Sequence, residues 1–192
     1  MKHNIVADTS FYSCNIKDLS RLDLLTYYLE NYQFHAGHII LDKELLPNID
    51  CDKTIADKIS RRESANYTEL FKALCLRDDK HIEEDGEYEA IGIALELALT
   101  NELHRLIIDD STPRNFAKKI PLLKEKTMGT IGFIRDSYHK DRIITKEQCI
   151  AHLKAIHRAY ETNPDKNHRP CSMDEKIVKN VLLPLIQELE NA

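Results

Sequence analysis

Short apolar runs alternate with helix-spaced apolar stripes along this chain. The first run, Asn4 to Ala7 within HNIVAD, has the length and continuity of an interior strand and ends on the polar Asp8-Thr9-Ser10. Leu19, Leu22, Leu25 and Leu29 then recur at helical spacing, with Asp18 or Ser20 placed to cap the start. HIIL at 38–41 reads as a second strand, and LDKELLPN after it as a short helical segment stopped near Pro47, which leaves Glu44 just beyond the strand. From Lys53 to Leu76 the pattern is mostly helical. Asp85 caps a clearer helix from Gly86 to Leu99, and HRLIIDD at 104–110 is a strand that ends on two carboxylates.

TPRNFAKKI and MGTIGFIRDSYHKD read as the next two helices, and Ile150, Leu153, Ile156 and Ala159 carry helical periodicity through residues 146–160. ETNPDKNHRPCS breaks that pattern with turn-forming residues before MDEKIVKNVLLPLIQELE resumes it, with Pro184 expected to bend the last helix. Its apolar face, Ile177, Val181, Leu182, Leu185 and Leu189, is large enough to require burial. Strand and helix in alternation predict an α/β fold, a three-layer α/β/α sandwich about a mainly parallel sheet. The core domain spans residues 1–145, and a C-terminal helical extension spans 146–192.

A chain of 192 residues buries a sizeable core and fits one elaborated domain better than two equal ones. With 42% hydrophobic and 31% charged residues, a disordered tail and a fibrous repeat are both excluded. The apolar stretch Ile91 to Leu99 is interrupted by Glu96 and is far shorter than a membrane span, and MKHNIVADTS lacks a secretory apolar segment. A cytoplasmic protein with no membrane association is expected. Cys14, Cys51, Cys75, Cys149 and Cys171 are odd in number, far apart and without a CxxC pair, which predicts reduced thiols rather than a disulfide framework or a zinc site. A net charge of −5 argues against coating nucleic acid through overall charge. Arg114, Lys118, Lys119, Lys124 and Lys126 still offer a local basic surface for phosphates, or simply a solvated helix and loop.

Carboxylates occupy four informative places: Asp8 after the first strand, Glu44 after the second, Glu87 in the first turn of a helix, and Asp109-Asp110 after another strand. Loops at one end of a parallel sheet can gather all of them. At about 100° per residue, Glu87 lines up with Ile91, Ala94 and Ala98 on the stripe that faces the sheet. Glu89 lies on the opposite side with Glu96 and reads as a surface residue. Of the last pair, Asp109 is nearer the strand and suits a metal, while Asp110 can cap the helix that opens at Thr112-Pro113. Clustered carboxylates repel one another unless a cation neutralises them, and all-oxygen donors suit Mg²⁺ or Mn²⁺ rather than zinc. Such a cation can activate water and stabilise charge on a phosphoryl group.

Other chemistries find less support. His35, His38, His104 and His139 lack metal-site spacing, Ser10 has no His partner for a triad, and no phosphate-cradling glycine motif follows a strand.

Asp8-Thr9-Ser10, Glu44, Gly86-Glu87-Tyr88-Glu89-Ala90, Asp109-Asp110 and Gly129-Thr130-Ile131-Gly132, in that order, resemble a PIN domain over residues 3–144, and most closely a compact prokaryotic branch of PIN-like proteins. The resemblance implies an α/β nuclease dependent on Mg²⁺ or Mn²⁺ that acts on RNA, either as a toxin with an antitoxin partner or in RNA processing, with homodimerisation open. It assigns catalytic roles to Asp8, Glu44, Glu87 and Asp109, metal ligation to Asp8, Glu87 and Asp109 or Asp110, and support to Ser10 and Glu89. Two departures stand out. Glu87 replaces the family's more frequent Asp at the helix start, which changes reach by one methylene, and the chain exceeds a minimal toxin. A PIN-like module that binds without catalysing is the alternative.

Overall fold

A computed structural model describes residues 2–48, 53–64, 67–75, 85–163 and 169–191. Ile5, Val6 and Ala7 in β1 (His3–Ala7) are all fully buried, as a strand covered on both faces requires. β1 pairs in parallel with β2 (Tyr32–Ala36) on one side, Ile5 opposite Phe34, and with β4 (Leu103–Ile107) on the other, Val6 opposite Leu106. Two-residue strands β3 (Ser60–Arg61) and β5 (Thr127–Met128) complete a five-stranded, wholly parallel sheet in the order β3-β2-β1-β4-β5.

Helices cover both faces, giving the three-layer α/β/α sandwich. On one face α1 (Thr9–Ser13), α2 (Leu22–Asn31) and α8 (Thr130–His139) meet the sheet through an aromatic cluster. Phe133 lies within 5.5 Å, ring centre to ring centre, of Phe11, Tyr28 and Tyr32. On the other face α6 (Gly86–Leu99) lies against β1, β2 and β4, flanked by α5 (Tyr67–Cys75) and α7 (Ser111–Lys119). Short helices α3 (Leu46–Asn48) and α4 (Lys53–Ala56) lead to β3. Among the described residues no helix is long and apolar enough to cross a membrane.

The second strand is not at 38–41. It lies six residues earlier, starting directly where α2 ends, with Tyr32, Phe34 and Ala36 buried in alternation. Residues Ile39–Leu45 wind instead into wide helical turns, because the Glu89 carboxylate accepts the N–H groups of Ile39 and Ile40, each at 3.0 Å, where that helix starts. Glu89 is therefore a buried cap, 6% exposed, and not the surface residue its wheel position predicts. Replacing it with Ala would leave those two amides without a partner. A loss of about 2 kcal/mol or more is expected in urea melts, and a loss below about 0.5 kcal/mol would show that solvent takes over the cap. The stretch 53–76, read as mostly helix, also contains β3, while Ala65, Asn66 and Leu76 lie outside the described residues.

The C-terminal helices join the same core. In α9 (Lys146–Thr162), opened by a Thr145–Gln148 capping box, Cys149, His152, Leu153 and Ile156 are buried, and Tyr28 Oη reaches His152 Nδ1 at 3.2 Å. After α10 (Glu175–Ile177) the chain widens through Val178–Leu182 into α11 (Leu183–Asn191). Pro184 accounts for the widening, since it lacks an N–H for the preceding turn and its ring crowds the carbonyl there. Of the expected apolar face Leu182, Leu185 and Leu189 are buried, joined by Val178 and Ile186, but Val181 is 47% exposed.

Burial lowers the His152 pKa to about 3, and Nε2 has no partner among the described residues. The unfolded chain takes up a proton near pH 6.5 that the native state refuses, so this group's contribution to stability is lost as pH falls from about 6.5 towards 3, at up to about 1.4 kcal/mol per pH unit. His152→Gln should flatten the slope of unfolding free energy between pH 6 and 4 by one proton. An unchanged slope would place the acid sensitivity elsewhere.

The cysteine reading needs correction. Cys14 and Cys171, separated by 157 residues, form a disulfide with Cα atoms 4.4 Å apart, and Cys149 is a buried free thiol. Spacing along the chain carries no record of this contact, because it arises only when the turn Pro170–Ser172 folds back onto the end of α1.

Candidate functional site

β1 and β4 are neighbours that are not consecutive in sequence, so a crevice opens at their carboxyl ends where the sheet order reverses. Asp8 and Asp109 stand there side by side. Asp8 Oδ1 accepts the Phe11 N–H at 3.2 Å and so caps α1, while Oδ2 accepts the Asp109 N–H at 3.1 Å. Asp109 turns the other way, with Oδ1 accepting the Thr130 N–H at 2.8 Å and Oδ2 the Thr130 hydroxyl at 2.5 Å. Both carboxylates are buried.

Glu44 reaches the crevice from the turns after β2, not from a strand end. Its Oε1 accepts the Gly86 N–H at 3.1 Å and its Oε2 the Thr9 hydroxyl. Position 86 must be glycine for this approach, since a Cβ there would overlap the Glu44 carboxylate. Glu87 comes from the first turn of α6, behind the cap Asp85, whose Oδ1 accepts the Glu87 N–H at 2.9 Å. Asp110, exposed, caps α7 by accepting the Thr112 N–H at 2.7 Å, so the two adjacent aspartates divide into one inward and one capping residue.

The electrostatics are those of crowded anions. Burial raises the Asp8 pKa well above the usual carboxylate value, the charges of Asp109 and Glu44 push the same way, and the amides of Asp109 and Phe11 oppose them. Asp109 is raised by burial, against the pull of Thr130 and the Arg114 guanidinium. Glu87 is pushed up to about 9, first by burial and then by its hydrogen bond with Asp85 and the charges of Asp85, Asp8 and Asp110. With no cation bound, Glu87 holds a proton at neutral pH.

Arg114 Nη1 donates to the carbonyl oxygens of Ile108, at 3.3 Å, and Asp109, at 3.2 Å, strapping the end of β4. The remaining expected phosphate-binding residues are not brought here. Lys118 and Lys119 are in the last turn of α7, and Lys124 and Lys126 precede β5, at the end of the sheet where the strands begin. Lys126 Nζ donates to the carbonyl of Leu103, the first residue of β4, at 2.6 Å. Ser10 does not hold Asp8, whose hydrogen bonds come from the two amides, and the neighbouring hydroxyl that touches a site carboxylate belongs to Thr9.

Asp85, Thr9 and Thr130 were missed as site residues in the sequence reading. A signal existed for Thr130, which opens a helix directly after a strand within GTIGF, as Thr9 does after Asp8. Among the described residues no three Asp, Glu, His or Cys side chains converge closely enough to grip one metal ion as they stand. The donor set is nonetheless all carboxylate oxygen, with Asp8 and Asp109 buried, which fits a hard divalent cation. Comparison with protein families, with curated proteins and with solved structures finds no match, so the PIN-like resemblance stands on the residues alone.

Proposed function

We propose that the crevice at the ends of β1 and β4 hydrolyses RNA phosphodiester bonds with Mg²⁺ or Mn²⁺ as cofactor. The observation that carries this reading is the adjacency of two buried carboxylates, Asp8 and Asp109, at the sheet's switch point, with Glu44 and Glu87 flanking them. Nature rarely buries like charges together without a compensating ion. Asp8, Asp109 and Glu87 would hold the cation, which when bound supplies an acidified water and neutralises charge growing on the phosphoryl oxygens. Glu44, fixed by Thr9 and the Gly86 amide, orients the attacking water or completes the ligand set, and Thr130 and Arg114 hold the Asp109 end rigid. Water is the nucleophile, and no protein-bound intermediate forms.

RNA rather than DNA, a toxin role with an antitoxin partner, and a homodimer rest on the PIN-like resemblance. The proposed cytoplasmic location has the Cys14–Cys171 disulfide against it, because such bonds are rare in a reducing compartment. The proposal is tested by incubating the purified protein with mixed structured and single-stranded RNAs in Mg²⁺, Mn²⁺ or chelator. Cleavage with either cation and none in chelator is expected, while intact RNA under all conditions would favour a PIN-like module that binds without catalysing.

A further inference from the structure

Beside Asp109 runs a groove of about 170 Å³. Asp109, Arg114 and Gly129 line one side, and Met173, Ile177 and Val181 of the C-terminal segment line the other. That segment is joined to the rest of the protein immediately before Ser172-Met173. Cys171 is bonded to Cys14, and its N–H donates to Asp18 Oδ2 at 2.6 Å. Cys171 and Ser172 hold left-handed backbone, φ 50° and 56°, in succession and without being glycine. Such residues stay in that region only where surrounding contacts force them to. Beyond Ile177, Val178 and Leu182 are buried and anchor the chain again. The wall is thus pinned at both ends, apolar packing holding one and a covalent bond holding the strained other, and Met173 between them is seated in the core at 3% exposure.

We propose that the Cys14–Cys171 disulfide is a redox latch that seats residues 171–177 as the outer wall of the groove leading to Asp109. When a dithiol reductant attacks, one of its thiolates displaces a cysteine sulfur to form a mixed disulfide. Its second thiol then closes a ring and releases the other protein thiol. Two electrons and two protons pass to Cys14 and Cys171, and the reductant leaves as its own disulfide. Without the bond, the left-handed pair relaxes, Met173 withdraws from the glycine-lined side, and the groove opens. Both sulfurs are buried, 1% and 2% exposed by residue, so attack waits on local opening. The latch accordingly responds slowly, registering a lasting change of redox environment and not a brief one.

The inference does not depend on RNA cleavage and is tested without it, by amide hydrogen exchange on the full chain, oxidised and after prolonged reduction. At exchange times too short for global unfolding to contribute, exchange over residues 172–177 should quicken by about tenfold or more on reduction, while residues 92–97 of α6, packed against the sheet, change little. Cys14→Ser should show the reduced pattern with or without reductant. Cys171→Ala serves the same purpose should Cys14→Ser fold poorly, and reduced wild type provides the comparison free of substitution. Equal exchange in both states would overturn the latch. So would a uniform rise across the chain, which marks a general staple, or a thiol titration showing that Cys14 and Cys171 stay unpaired after treatment with an oxidant.

Discussion

Asp109→Asn is expected to lower RNA cleavage by roughly a hundredfold or more while leaving the fold in place. The asparagine keeps the local hydrogen bonds. Its Oδ1 can still accept the Thr130 N–H, and its amide can donate to the Thr130 hydroxyl, which reverses its role from donor to acceptor. Asp8→Asn is a poorer test, because both Asp8 oxygens accept backbone N–H groups and one amide nitrogen would then face another. Removing the Asp109 charge also relieves its repulsion of Asp8. In chelator the variant should therefore unfold at the same or higher urea concentration than wild type, with a gain on the order of 1 kcal/mol. Added Mg²⁺ should stabilise wild type and not the variant. Activity and metal-free stability thus move in opposite directions, a combination that a merely destabilised variant does not give. Equal cleavage by both proteins would point to a contaminant or to another site.

Breaking the Cys14–Cys171 bond is expected to cost about 2–5 kcal/mol, because a closed loop of this length restricts the unfolded chain strongly. For a chain of this size that corresponds to roughly 5–15 °C in melting temperature. Cys171→Ser should match reduced wild type, and reductant should leave the variant unchanged. A variant as stable as oxidised wild type would mean that the bond contributes no net stability.

Much of the fold was legible because two of its strands are simple. Ile5–Ala7 in β1 and Leu106 to Ile108 at the end of β4 are apolar, buried and followed directly by carboxylates, so the residues that mark the strand ends also mark the site. The second strand was not legible, since YQFHA follows a helix without a break and its alternation is as polar as it is apolar. The β3 and β5 strands, of two residues each, have no periodicity to detect. Glu89 shows where a helical wheel fails. Its reading assumes one buried face, but α6 is buried nearly all round, with Glu89, Gly92, Ile93 and Leu97 inside as well as Ile91 and Ala94. Glu89 is inside because a helix start needs its carboxylate, a requirement set by residues 39 and 40, some fifty positions away. Proximity in sequence suggests that the lysines of 118–126 reach the site, yet the length of α7 carries the chain to the opposite end of the sheet before β5 begins. The disulfide, spanning almost the whole chain, belongs with these long-range contacts.

The most direct test of the central claim is anomalous diffraction from crystals soaked in Mn²⁺, measured for wild type and Asp109→Asn. In wild type, an anomalous peak is predicted between Asp8 and Asp109, within about 2.0–2.4 Å of carboxylate oxygens, with Glu87 deprotonated and turned towards it. In Asp109→Asn the peak should be lost or greatly weakened. A wild-type crystal with Mn²⁺ bound elsewhere and none in the crevice, or equal peaks in both proteins, would contradict it.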